Sequence, residues 1–139
     1  MEVVVVEAAD RALARMVPSV VADRVVALHA EHGVTVLLKG GHLDETEAPE
    51  AAAAEVPDAV VRVDGAVHEV RGPRVTTRAS HGTGCTLSSA LATLAGAGLS
   101  WDDALERAKP WLADAMRAGE ALAVGDASRP TWHLSLIHI

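Results

Sequence analysis

The hydrophobic positions near the start of the chain form two short apolar runs separated by an amphipathic segment. Residues 3–6 are four consecutive valines, and residues 34–38 are apolar apart from one threonine. Continuous β-branched runs of this length are typical of strands buried on both faces. Between them, apolar side chains recur at helical spacing from Pro18 until just before Gly33. Strand, helix and strand in this order predict a βαβ unit with parallel strands.

A β-hairpin is predicted in the middle of the chain. Residues 43–57 are acidic and rich in alanine, and we interpret them as a loop. Two β-rich runs follow at 59–63 and 66–70, and they flank an Asp64-Gly65 pair. Aspartate followed by glycine is a favoured two-residue hairpin turn, so the two runs are predicted to be neighbouring strands.

Two helices are predicted in the last third of the chain. Apolar side chains recur at helical spacing from Thr83 to the glycines at 96 and 98. Ser100 is then expected to cap a second helix, which carries aspartates in its first turn, where the helix dipole favours them. Pro110 lies inside this second helix, so a kink or a break just before it is expected.

The composition favours an α/β fold. Half of the residues are apolar, alanine and valine dominate, and the aromatic residues are three Trp with no Phe or Tyr. Small aliphatic side chains suit close packing of helices on a sheet, so we expect α/β layers rather than an aromatic-rich β-sandwich. No internal repeat or low-complexity linker divides the sequence, so residues 1–139 are interpreted as one domain.

Charge and cysteine content exclude several classes of protein. The formal net charge of −7 argues against a nucleic-acid-binding surface, which needs clustered Lys and Arg. The single cysteine excludes an intramolecular disulfide and leaves a free thiol. No apolar run approaches the roughly 20 residues of a membrane span, and residues 3–6 are too short for a signal-peptide core. We therefore expect a cytoplasmic protein without a nucleic-acid or membrane partner.

A glycine turn precedes the first predicted helix and is the strongest candidate for chemistry. Gly82 and Gly84 bracket Thr83, and Cys85 follows at once. Backbone N–H groups in such a turn can converge on an anion, and the helix N-terminus adds the positive end of its dipole. Cys85 could then accept a proton from a substrate hydroxyl or place a dipole near a transferring phosphoryl group. The alternatives are a glycine-rich loop that merely enters a helix, and a cysteine that acts as a small buried hydrophobe.

A second anion-binding turn is predicted at the end of the buried run 34–38. Lys39 stands at its carboxyl end, and the pair Gly40-Gly41 and His42 follow. Parallel sheets bind ligands at the carboxyl ends of their strands. A lysine there can neutralise a polyphosphate, and glycines allow the phosphate to approach the backbone. The alternative is a lysine whose aliphatic stem packs beside a tight turn.

The two turns together predict phosphoryl transfer, a reaction in which positioning and electrostatic stabilisation carry most of the catalysis. No Gly-Lys-Ser/Thr closes the glycine turn, so it is not a Walker A motif. No histidine shows metal-ligand spacing with the cysteine, so no structural zinc is expected. Asp44, Glu45 and Glu47 could hold Mg²⁺ through water but are interpreted as a solvated surface, so no residue is predicted as a metal ligand.

Three segments, at 36–43, 72–75 and 81–88, resemble the hydroxymethylpyrimidine and phosphomethylpyrimidine kinases of thiamine biosynthesis, which have the ribokinase-like fold. The resemblance covers about residues 18–134. It implies the C-terminal portion of a three-layer α/β/α fold, with a mainly parallel sheet and a β-hairpin. It also implies ATP and Mg²⁺ as cofactors, a small-molecule pyrimidine as substrate, and a possible homo-oligomer for a full-length protein.

The resemblance also implies two groups of site residues. The anion hole and the catalytic base would be supplied by the glycine turn, namely Gly82, Thr83, Gly84 and Cys85. The nucleotide would be bound by Lys39, Gly40, Gly41, His42 and Thr76.

The chain departs from this family in length. Its members are about twice as long, and the pyrimidine-binding N-terminal part has no counterpart here, so we expect a fragment with the nucleotide half and little activity of its own. The alternatives are a pyridoxal or pyridoxine kinase of the same fold and a nucleotide-binding module without catalysis. Residues 135–139 end the chain on an uncapped apolar run and are interpreted as a candidate non-native tail.

Overall fold

The computed structural model describes residues 4–7, 28–29, 31–40, 54–122 and 129–132, with the backbone alone for the first of these ranges. The chain divides into two compact units, Met1–Gly72 and Pro73–Ile139. They are described in turn.

The first unit is built on a sheet of four strands in the order β1-β2-β3-β4. Their bounds are Val4–Glu7 for β1, Thr35–Lys39 for β2, Glu55–Val61 for β3 and Val67–Pro73 for β4. β1 pairs with β2 in parallel, which confirms the predicted parallel pair, and β2 pairs with β3 in the antiparallel direction. The sequence predicts a mainly parallel sheet. Among the described strands, the pairing of β1 with β2 is parallel, and the other pairings are antiparallel. Most of the helix predicted from Pro18 lies outside the described residues.

The apolar run of β2 is buried, as its composition predicts. Val36 and Leu37 lie opposite Val61 and Val60 of β3, and Leu37 and Val60 are completely buried. Full burial of a Leu or Val side chain stabilises a fold by about 1.5–3 kcal/mol. This contact therefore holds β2 and its carboxyl end in place.

The loop predicted for residues 43–57 is wrong at its end, because β3 already begins at Glu55. Residues 41–53 lie outside the described part of the chain. Proline is unfavourable in a strand because it lacks a backbone hydrogen-bond donor, but its carbonyl oxygen can still accept. The carbonyl oxygen of Pro57 accepts a hydrogen bond from Gly40 N at 3.0 Å, so Pro57 still takes part in the sheet.

The hairpin is confirmed, but its predicted two-residue turn is wrong. The strands end in a wider loop, in which Arg62 N donates to Ala66 O at 2.9 Å and Gly65 N donates to Arg62 O at 3.0 Å. Gly65 has φ +82°, and the Asp64 carboxylate accepts from Ala66 N at 3.0 Å. A glycine in the left-handed region after a tight turn is typical of three-residue hairpin loops.

The second unit contains two helices, α1 from Thr83 to Gly96 and α2 from Trp101 to Ala121. Both start where the sequence predicts, and Ser100 caps α2 by accepting a hydrogen bond from Asp103 N at 3.1 Å. The helices pack through a row of buried small and aliphatic side chains: Leu87, Leu91, Ala104, Leu105, Ala108, Leu112 and Ala115. Neither helix has the length and apolarity needed to cross a bilayer.

The expected break in the second helix is wrong, because α2 runs through Pro110 without interruption, whereas a kink there stays a prediction. Proline removes one helical hydrogen bond and crowds the preceding turn. Here Leu105 and Leu112 are buried on either side of Pro110, which itself faces solvent. Their burial stabilises the continuous helix by more than the missing hydrogen bond costs.

Candidate functional site

The glycine turn enters α1 through a backbone conformation that favours glycine. Gly82 has φ +81° and ψ 5°, and the first helical hydrogen bond runs from Thr86 N to Gly82 O at 2.8 Å. The N–H groups of Thr83, Gly84 and Cys85 precede that bond and point out of the helix end. The turn therefore has the geometry that binds anions at helix N-termini. That an anion binds there stays a prediction.

Two side chains of this turn differ in burial. Thr83 is buried, with 7% of its surface accessible, so it fixes the start of the helix to the core. Cys85 is exposed, so the alternative of a small buried hydrophobe is wrong. The cysteine thiol is thus accessible beside the N–H groups of the turn.

A cavity of about 580 Å³ runs along α1 and α2, with the cysteine among its walls. Its lining is mostly apolar: Cys85, Thr86, Ser89, Ala90, Thr93, Leu94, Ala97, Leu99, Arg107, Ala108 and Trp111. The indole nitrogen of Trp111 is buried and has no hydrogen-bond partner within the described part of the chain. This donor was missed in the sequence, where a tryptophan inside a helical apolar pattern indicates only packing.

The segment before the glycine turn is held by residues near the end of the chain. Arg129 N donates to Arg78 O at 2.8 Å, and His81 N donates to Arg129 O at 3.1 Å. Trp132 N donates to Ala115 O at 3.0 Å, which ties the same strip to α2. The His81 side chain is exposed, and the residue takes part in these contacts through its backbone.

Glu120, in the last turn of α2, contacts this segment directly. Its carboxylate accepts hydrogen bonds from Thr77 Oγ1 at 2.5 Å and from Arg78 N at 3.0 Å. The guanidinium groups of Arg78 and Arg129 each lie 3.8 Å from it. The Thr77 hydroxyl, the Arg78 amide and the two guanidinium charges together hold the pKa of Glu120 below its ordinary value of 4.5.

Sequence reasoning missed Glu120, although one signal was available. An acidic residue in the last turn of a helix is unfavourable, because the negative end of the dipole lies there. No basic residue accompanies it in that turn. Such an acid suggests a partner outside the helix.

Gly119 allows the close approach on which these contacts depend. A Cβ atom at this position would lie 2.6 Å from Pro130 O and 2.7 Å from Ala79 Cβ. Most of those neighbours are backbone atoms or buried groups, so they cannot simply move aside. The glycine is required by space.

In the first unit, Lys39 stands at the end of β2 as predicted and is buried, with 7% of its surface accessible. Asp58 lies opposite it on β3 and is 4% accessible. The Gly40 amide donates to Asp58 Oδ1 at 2.9 Å as well as to Pro57 O. Asp58 was missed because the strand was predicted to start one residue later.

For the remaining predicted site residues, the structure shows no contact that would bring them together in the described part of the chain. Gly41 and His42 lie outside the described residues, and Thr76 is exposed on the extended segment before the glycine turn. That the two turns share one phosphate ligand stays a prediction. Within the described ranges, no group of three acidic, histidine or cysteine side chains could hold a metal ion.

Comparisons with known proteins agree with the pattern of residues. The sequence model described as phosphomethylpyrimidine kinase matches residues 11–132. The chain is 49% identical over 104 residues to the thiamine biosynthesis multifunctional protein ThiED of Corynebacterium efficiens. This match covers 75% of the chain and 13% of the ThiED protein. It is 39% identical over 98 residues to the hydroxymethylpyrimidine/phosphomethylpyrimidine kinase of Escherichia coli K12, covering 70% of this chain and 34% of that one.

Among solved structures, the pyridoxal kinase of Staphylococcus aureus in complex with AMP-PCP superposes on 98% of this chain with a TM-score of 0.71 and 19% identity. The match covers 48% of the pyridoxal kinase chain. This likeness confirms the expected ribokinase-like α/β fold.

Proposed function

Since the chain belongs to the phosphomethylpyrimidine kinase family, we propose that it carries the phosphoryl-transfer half of an ATP-dependent kinase. The substrates would be 4-amino-5-hydroxymethyl-2-methylpyrimidine and its monophosphate, and the activity would be cytoplasmic. The chain spans about a third of the length of the Escherichia coli kinase it matches. The observation that carries the proposal is the glycine turn, which places three outward N–H groups beside an exposed thiol.

In the proposed reaction, the hydroxymethyl oxygen attacks the γ-phosphorus of ATP, the bond from that phosphorus to the bridging oxygen breaks, and ADP leaves. Cys85 Sγ takes the hydroxyl proton as the general base. The N–H groups of Thr83, Gly84 and Cys85 donate to the phosphoryl oxygens, whose negative charge must be stabilised during transfer. In the second round, a phosphate oxygen of the monophosphate attacks in the same way. Mg²⁺ would arrive with the nucleotide phosphates and shield their charge.

Lys39 is proposed to neutralise the nucleotide phosphates, together with the turn at Gly40, Gly41 and His42 and with Thr76. The Gly40 amide already donates to Asp58 and Pro57, so it is not available as a phosphate donor in this arrangement. The contribution of Gly40 would therefore be the absence of a side chain, and the charge would come from Lys39.

The test is a direct assay of phosphoryl transfer with the pyrimidine and pyridoxal in competition. We expect labelled phosphate from ATP to appear on the pyrimidine, at the low rate of a chain that spans part of its relatives. Cys85→Ser is expected to lower this rate by about 10²–10⁴-fold, the usual contribution of a general base, whereas Asp114→Asn, on the exposed side of α2, is expected to leave it unchanged.

Three results would count against the proposal. Preferential labelling of pyridoxal would favour the alternative kinase of the same fold, whose support is structural likeness alone. Nucleotide binding without any ADP formed would favour a non-catalytic module. Full transfer activity in Cys85→Ser would exclude Cys85 as the base.

A further inference from the structure

Glu120 lies in the last turn of α2, far in sequence from the residues of the segment that it contacts. Its carboxylate accepts from Thr77 and from the Arg78 amide, which are 43 and 42 positions away. We propose that Glu120 is a positioning residue that fixes the segment leading into the Gly82–Cys85 turn and so orients the N–H groups of that turn. The role in catalysis rests on the proposed function, but the positioning itself does not.

Two further contacts make the attachment specific. Thr77 Oγ1, which donates to Glu120, also accepts from Ala79 N at 3.0 Å, so one hydroxyl links the carboxylate to the bend of the segment. Arg129 Nη1 donates to the backbone oxygen of Glu120 at 3.1 Å, while Arg129 N donates to Arg78 O. The end of α2, the Thr77–Ala79 segment and Arg129 therefore form one connected set of hydrogen bonds.

The contacts of Glu120 with residues 77 and 78 lie just before the Gly82–Cys85 turn. Ala79 is completely buried and Thr83 nearly so, which leaves three residues, 80–82, to span the two fixed points. Burial of Thr83 and Leu87 holds the helix side of the turn whether or not Glu120 is present. Loss of the carboxylate would remove the side-chain attachment on the entry side of the turn and so loosen it, while the backbone bonds of Arg129 to Arg78 and His81 remain and α1 stays folded. The lowered pKa of Glu120 agrees with a carboxylate that stays ionised and hydrogen-bonded.

The test compares Glu120→Ala with Ser100→Ala, a change at the opposite end of the same helix. Ser100 is the N-cap of α2, and its loss weakens the helix without touching the glycine turn. Amide hydrogen exchange is measured in both variants at His81 and Thr86, whose N–H groups donate to Arg129 O and Gly82 O on either side of the turn. We expect exchange there to rise about fivefold in Glu120→Ala, as the loss of a charge-assisted hydrogen bond predicts, and to stay unchanged in Ser100→Ala.

A second readout separates orientation of the turn from general destabilisation. The concentration of AMP-PCP that half-protects Cys85 from iodoacetamide should rise about fivefold in Glu120→Ala. Glu120→Gln keeps an oxygen that can accept from Thr77 and should restore most of the wild-type value. If Glu120→Ala does not fold, Thr77→Val removes one of the same hydrogen bonds and should give the same direction of change.

Equal exchange at His81 and Thr86 in Glu120→Ala and Ser100→Ala would overturn the positioning role. If AMP-PCP protects neither the wild type nor any variant while the exchange difference persists, the proposed function fails and the positioning role stands. The two proposals are thereby tested separately.

Discussion

Close packing determines which side chain can occupy some positions of the second unit. Gly119 is the clearest example, since a Cβ atom there would lie within 2.7 Å of Pro130 O and Ala79 Cβ. By contrast, Gly96 at the end of α1 has nothing within 4 Å of the place where a Cβ would be. The two glycines therefore form a matched pair.

Gly119→Ala is expected to lower the free energy of unfolding by about 1–3 kcal/mol, because the methyl group must displace packed atoms. Gly96→Ala is expected to leave stability unchanged or to raise it by up to about 1 kcal/mol, the helix-propensity difference between the two residues. Urea unfolding followed by circular dichroism measures both. Equal effects of the two substitutions would show that residues 79 and 130 do not approach Gly119 closely.

At the scale of elements, the sequence indicated the helices more reliably than the loops that join the strands. The cap at Ser100 and the start at Thr83 follow from local hydrogen bonding, which a short stretch of sequence specifies. The first residues of β3 are held by contacts with a distant part of the chain, since the Gly40 amide donates to Pro57 O and to Asp58 Oδ1, 17 and 18 positions away. Local reasoning placed the strand start too late for this reason.

The same limit explains why Glu120 was missed and why the expected break at Pro110 was wrong. Both depend on contacts made after the chain has folded. The burial of Leu105 and Leu112 overrides the local preference of proline, and the partners of Glu120 lie more than 40 positions away. The Gly82–Cys85 turn was predictable because glycine, helix start and cysteine are adjacent in sequence.

Pro110→Ala tests the energetic account of α2. Alanine restores an N–H group that can donate to the carbonyl of Glu106 and removes the crowding of the ring, so we expect stability to rise by about 1–3 kcal/mol. The exposed position of Pro110 means that little packing is lost. Thermal unfolding measures the change, with Asp114→Ala as an exposed control expected to fall within about 1 kcal/mol of the wild type. A destabilised Pro110→Ala would indicate that the proline ring packs favourably in this helix.

At the scale of the whole molecule, family membership rests on the match over residues 11–132, and the α/β fold on likeness to solved kinases. The central functional claim is narrower: that the Gly82–Cys85 turn binds the phosphates of ATP beside an exposed thiol. Because the chain contains one cysteine, any alkylation reports on Cys85 alone.

The most direct measurement is therefore the rate of Cys85 alkylation by iodoacetamide with and without AMP-PCP and Mg²⁺. A nucleotide bound at the turn should slow alkylation about tenfold at a concentration ten times its dissociation constant, since only the free fraction of the chain would react. Adenosine, which lacks phosphates, should give no protection. An alkylation rate that does not respond to AMP-PCP at millimolar concentration would contradict the account.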